Sequence, residues 1–243
     1  MTANADMSAN PSCIAINGET LNLLAEGAAF WPAREALIVA DLHFEKGSSF
    51  ARRGVMLPPY DTRTTLRRLA AVADRIKPRM IISLGDAFHD RGAEARMDDD
   101  DADFLGGLIA RHSWLWVLGN HDPAPPERFA GAVERSLRLG GLFLTHEPTA
   151  TPQAGELAGH LHPCGRFRTG EKTLRRRCFI EDGGRMILPA FGAYTGGLNV
   201  RDAAIADLFQ GRRRIWAMGA KGVYPFDWSS CAPEAPPLHR KAG

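Results

Sequence analysis

The 243-residue chain is 44% hydrophobic and carries 30 basic against 28 acidic side chains, a formal net charge of +2, so it can bury one sizeable core. A charge this close to neutral excludes attraction to polyanions through the overall field, and any affinity for nucleic acid has to come from local clusters. The apolar runs fall far short of the roughly 18 residues a membrane helix needs. The first ten residues include Asp6 and have neither a basic start nor an apolar centre, which makes the cytoplasm the expected compartment, with no membrane partner.

Cys13, Cys164, Cys178 and Cys231 form no C-x-x-C pair, as reduced structural thiols would, and unlike a thiolate zinc site or a disulfide framework. In chain order, the buried-strand run ALIVA (36–40) meets Asp41, and a helix is predicted over 61–76 with Leu66, Leu69, Ala73 and Ile76 on one face. The run MIISL (80–84) meets Gly85 and Asp86. Asp98–Asp101 lacks the spacing and distal Glu of a calcium loop and reads as the acidic start of a helix over 98–112. The run WLWVL (114–118) ends in Gly119-Asn120-His121-Asp122, with Trp114 and Trp116 expected as core and surface positions of one strand. A further strand, GLFLT (141–145), ends at His146. Strand–helix alternation of this kind implies right-handed crossovers and an α/β sheet covered by helices.

After residue 163 the helical period fades, and the runs at 166–170, 174–188 and 213–219 read as strands separated by Gly-rich turns. A second, more antiparallel half is expected, forming a sandwich of two sheets. One domain is expected over 1–228, followed by a disordered Pro/Ala-rich tail over 229–243.

The polar groups at the strand ends are Asp41, His43, Asp86, Asn120, His121, His146, His160 and His162. Ligands of α/β sheets bind in the crevice outside the strand C-termini, where these groups would converge. AGHLHP (158–163) sends His160 and His162 to the same side if its backbone is extended; alone, such a pair equally fits a solvated edge. Carboxylate, imidazole and amide donors without thiolate suit Mn²⁺, Fe or Zn²⁺. Two ions about 3.5–4 Å apart could activate a hydroxide for attack on phosphorus, with a histidine outside the metal shell protonating the leaving oxygen.

The blocks Asp41-Leu42-His43, Gly85-Asp86, Gly119-Asn120-His121-Asp122, His146 and Gly159-His160-Leu161-His162 resemble, in type and order, those of the calcineurin-like metallophosphoesterases. The resemblance implies a four-layer α/β (α+β) fold, a two-sheet sandwich flanked by helices. It also implies two divalent ions, Mn²⁺ first, with Asp41, His43 and His162 on one, Asn120, His146 and His160 on the other, and Asp86 bridging. His121 would be the general acid. The chain reads GDAFHDRG (85–92), one residue longer than the family's usual G-D-x-x-D-R-G, so Asp90 is a candidate to orient His121 in a shifted register and His89 is either a supporting or a surface residue.

The stretches 40–54 and 188–200 are similar to the bacterial ligase-associated phosphoesterases of the PdeM type, which implies an endonuclease of the DNA damage response with a DNA ligase or helicase as partner. Residues 166–177 hold six cations against Glu171 alone, and Arg212–Arg214 form another run. These arginines would track a phosphate backbone or simply face solvent. Arg52 and Arg53 are candidates to clamp a single phosphate. The alternatives are hydrolysis of small phosphodiesters or nucleotides without nuclease action, and an inactive scaffold for a repair partner.

Overall fold

Two sheets stack in the computed structural model, which describes residues 12–169 and 172–234. In the first, β1 (Cys13–Ile16), β2 (Glu19–Leu23) and β3 (Ala29–Trp31) run antiparallel up to β4 (Ala36–Ala40), and β5 (Met80–Leu84), β6 (Ser113–Val117) and β7 (Ala132–Glu134) continue parallel to it. The second contains β8 (Ser136–Leu139), β9 (Leu142–Thr145), β10 (Glu156–Ala158), β11 (Cys164–Thr169), β12 (Lys172–Glu181), β13 (Arg185–Ile187), β14 (Arg214–Gly219) and β15 (Gly222–Asp227). Its order is β15-β14-β12-β13-β10-β9-β8, with β11 paired to β12 outside that path.

The crossovers carry α1 (Lys46–Ala51), α2 (Asp61–Ile76), α3 (Ala93–Arg96) and α4 (Asp99–Arg111). Strand β4 is buried on both faces, which is why it reads as an unbroken apolar run. Leu37 and Val39 pack under Leu66, Leu69 and Leu105 of the helices, while Ile38 and Ala40 enter the core between the sheets with Leu144, Leu157 and Phe179. Full burial of each large aliphatic side chain stabilises the fold by about 1.5–3 kcal/mol. Asp98 caps α4 by accepting from the Asp100 N–H at 3.0 Å, the helix start expected of the acidic run.

Two expectations are corrected. Trp114 and Trp116 are both buried on the helix side, because residues two apart on a strand share a face. The two-sheet sandwich flanked by helices is as expected, with the smaller cover on the outer flank of the second sheet. Ile180, Ile187 and Ile215 are covered there by Val200, Phe209 and the single turn α5 (Ala203–Ala206). Residues 229–234 of the expected tail are held to the domain, with Cys231 buried, Ala232 N–H donating to the Arg166 carbonyl at 2.9 Å, and Asn199 Nδ2 donating to the Ala232 carbonyl at 3.1 Å. The remainder, 235–243, lies outside the described residues.

β10, which leads into His160 and His162, is anchored by a buried ion pair. Arg185 Nη2 donates to Glu156 Oε2 at 3.1 Å, and its Nη1 donates to the Leu208 carbonyl at 2.7 Å. Arg185→Met strands the Glu156 charge in the core and should lower unfolding free energy in urea by about 3–5 kcal/mol. Adding Glu156→Leu should recover most of the loss.

Candidate metal centre

The centre forms where β4, β5 and β6 end side by side and meet β9 and β10 of the second sheet. Asp41, His43, Asp86, His160 and His162 all lie at positive φ, between 46° and 69°. His160 and His162 therefore do not alternate along an extended strand. Their left-handed backbones separate the two rings, one into each of two donor groups.

The first group joins Asp41, His43 and His162, with His162 Nε2 at 3.3 Å from both Asp41 Oδ1 and His43 Nε2. The second joins Asp86, His146 and His160, with His146 Nε2 at 3.4 Å from Asp86 Oδ2 and 3.2 Å from His160 Nδ1. Asn120 Oδ1 lies 3.0 Å from the same His146 nitrogen. Asp86 Oδ2 also stands 4.0 Å from His43 Nε2, so its carboxylate faces both groups.

The donors suit hard or borderline divalent cations: carboxylate and amide oxygens with imidazole nitrogens. Burial opposes charge on His146, but the Asp86 hydrogen bond and the Asp41 carboxylate prevail and hold its pKa up to about 9, so the pocket favours positive charge. Burial and then His162 push His43 down to about 2, leaving a neutral imidazole able to ligate. His146 Nδ1–H donates to the Leu84 carbonyl at 3.0 Å, which turns Nε2 inward.

The glycine of the G-D block is dictated by contact. A Cβ on Gly85, at φ +71°, would lie 2.3 Å from His146 Nδ1. Asp122 secures the same loop. Its Oδ1 accepts from the Asp86 and Gly119 N–H groups and its Oδ2 from those of Ala87 and Phe88, at 2.7–3.1 Å. Burial pushes the Asp122 carboxyl up to about 6 against these donors.

The sequence profile described as calcineurin-like phosphoesterase matches residues 36–184. The chain belongs to that family. This phosphoesterase is a metal-dependent hydrolase, and its fold superposes on the crystal structure of the nuclease MPE of Pseudomonas putida with a TM-score of 0.70 and 32% identity, covering 88% of this chain and 98% of that one. Yfce, a phosphoesterase of E. coli, aligns at a TM-score of 0.40 and 11% identity over 79% of this chain and 97% of its own. No curated protein sequence matches.

Around the donors of this phosphoesterase, His121 is partly exposed. Its N–H donates to Asp86 Oδ1 at 2.9 Å, its Nε2 stands 3.9 Å from Asp86 Oδ2, and its Nδ1 meets the His89 carbonyl at 2.6 Å. Asp90 is not brought to His121. Both its oxygens are bound by the Arg96 guanidinium at 2.8 Å, and it also accepts from the Gly92 N–H. The extra residue in the GDAFHDRG block explains the difference, because it places a main-chain carbonyl where an aspartate was expected.

His89 is a functional candidate that the sequence left open. It is buried, stacks on His121 with centroids 5.1 Å apart, and sets Nδ1 at 3.4 Å from His43 Nδ1. Burial and then Lys46 lower its pKa to about 4, so it is neutral and can accept from His43 Nδ1–H. Lys46, half-buried and held below its ordinary range by desolvation, feels the carboxylates of Asp61, Asp41 and Asp86. Its only sequence signal was its place three residues after His43. Arg52 and Arg53 are exposed at the end of α1.

Gly85→Ala should keep its fold by circular dichroism and lower Mn²⁺ affinity about tenfold or more, as loss of ligand orientation does. Mass-spectrometric metal analysis after gel filtration reads the loss. Gly54→Ala, at φ +78° with nothing within 4 Å of the added Cβ, should retain its metal.

Proposed function

We propose that this phosphoesterase is a dinuclear phosphodiesterase that cleaves nucleic acid. The observation that carries the reading is Asp86, one buried carboxylate facing two complete donor groups. The 32% identity to a nuclease over 88% of the chain supports the polymeric substrate.

Asp41, His43 and His162 would hold one ion, Asn120, His146 and His160 the other, and Asp86 both. Mn²⁺ is the first choice, with Zn²⁺ or Fe as alternatives. Two such ions supply Lewis acidity that lowers the pKa of water and neutralises charge on the phosphoryl oxygens. His121 protonates the leaving oxygen from Nε2, while the His89 carbonyl holds Nδ1–H and fixes the ring. His89 steadies His43 through Nδ1, and Asp90 acts at one remove by holding the turn that carries His89. Arg52 and Arg53 bind substrate phosphate at the rim. The likeness to ligase-associated enzymes supports a cytoplasmic role in DNA repair beside a ligase or helicase. The complete donor set argues against an inactive scaffold.

Metal-stripped protein reloaded with Mn²⁺ should hydrolyse an aryl phosphodiester and cleave DNA oligonucleotides, and failure on both with Mn²⁺, Zn²⁺ and Fe²⁺ would sink the reading. Asp86→Asn should lose both ions and nearly all turnover. His121→Ala should keep its metal and lose about 10²-fold or more on alkyl esters, but far less on a nitrophenyl ester, whose good leaving group needs little protonation. Equal losses on the two esters would remove His121 as the acid.

A further inference from the structure

Beyond Cys164 the strand β11 forms a ladder only with the first half of β12 among the described residues. Its other edge takes the Ala232 N–H at the Arg166 carbonyl, while Arg166 Nη1 donates to the Pro233 carbonyl. β11 and β12 thus form a ribbon leaving the sandwich just after His162. The register sorts its side chains. Cys164, Arg166 and Arg168 lie opposite Arg177, Arg175 and Thr173, and directly opposed residues share a face. That face therefore carries Arg166, Arg168, Arg175 and Arg177. The other carries Phe167, Leu174 and Arg176, which line a small apolar pocket with Tyr224 and Phe226.

The root of the arginine face meets a loop that rests on the metal centre. At its root, Arg177 donates to the carbonyls of Ala190, Ala193 and Thr195, at 3.0–3.2 Å. That loop rests on the first metal block, since Phe191 N–H donates to the Ala40 carbonyl and Gly192 N–H to that of Asp41. Arg175 reaches the Gly197 carbonyl on the same loop. Arg168 is exposed and no more than about 20 Å along the chain from His162, the reach of six residues. The face already holds an anion of its own chain, for Glu234 lies 3.9 Å from Arg175 Nε and 3.3 Å from Asn199 Nδ2.

We propose that the arginine face of this ribbon, Arg166, Arg168 and Arg175, is an exosite for the sugar-phosphate backbone of a nucleic-acid strand whose scissile phosphate lies at the metal centre. The inference rests on the nuclease reading above. Cations on an open strand also keep it from pairing with other chains, but Arg176 would serve that purpose equally. Backbone binding to one face would not.

The experiment uses the Mn²⁺-loaded full chain. It compares wild type, Arg166→Gln/Arg168→Gln/Arg175→Gln, Arg168→Gln alone and Arg176→Gln. The readouts are anisotropy binding and cleavage of a labelled single-stranded DNA, together with hydrolysis of bis(p-nitrophenyl) phosphate. The triple variant should keep small-diester hydrolysis, bind the oligonucleotide about tenfold or more weakly, and reduce the salt slope of log K by about 2, as expected for three lost phosphate contacts. Arg168→Gln should give part of this loss, and the Arg176→Gln control almost none. Equal effects of Arg168→Gln and Arg176→Gln, or unchanged oligonucleotide binding in the triple variant, would overturn the exosite while leaving the nuclease reading standing. Wild type that hydrolyses the small diester and ignores DNA would overturn both. A triple variant that loses small-diester hydrolysis has lost its fold or centre, and Arg168→Gln against Arg176→Gln then decides.

Discussion

A carboxylate buried to 2% residue exposure is the constraint around which this molecule is arranged. Asp86 ends the strand between β4 and β6, and adjacent strands about 4.8 Å apart bring Asp41 and Asn120 to either side of it. An isolated buried anion would be expensive. Three imidazoles close to 4 Å or less, the His121 N–H and the bias toward cations make it tolerable. Burial works against the charge, yet His146 and the other partners hold the Asp86 pKa at about 2.

The second sheet contributes three of the seven donors. His146 follows β9, and His160 and His162 follow β10, so the centre is a seam between the sheets rather than a pocket in one of them. The His160 N–H donates to both oxygens of Asp41 at 3.0–3.1 Å, stitching that seam through the main chain. The Glu156–Arg185 pair and the Arg177 contacts brace the same junction from behind. Packing between the sheets thus closes each donor group, because each draws on both sheets.

Much of this was legible in the residues. Apolar runs ending in Asp, Asn or His marked β4, β5, β6 and β9, and 61–76 was a helix to the residue because its apolar face kept a strict period. The three opening strands gave short, weakly patterned segments and were not anticipated. The donor set could be named because each block is short and local, and the family resemblance implied the grouping of His160 apart from His162, whereas the left-handed φ values at these positions are displayed by no pattern of residue types. His89 was left open and Lys46 was missed for a related reason: their surroundings come from which rings and carboxylates lie nearby across the fold. The ribbon's charges were visible as a cluster, but their division between two faces required the strand register.

The left-handed backbone at five donor positions carries a thermodynamic cost of about 1–2 kcal/mol for each non-glycine residue. That strain is concentrated within a few residues, inside a scaffold whose surroundings are otherwise closely packed. Burial of Asp41, His43 and Asp86 and the main-chain hydrogen bonds to Asp41, Asp86 and Asp122 hold the strained turns in place. Side chains branched at Cβ would make the same turns costlier still, so these positions admit few replacements even apart from ligation.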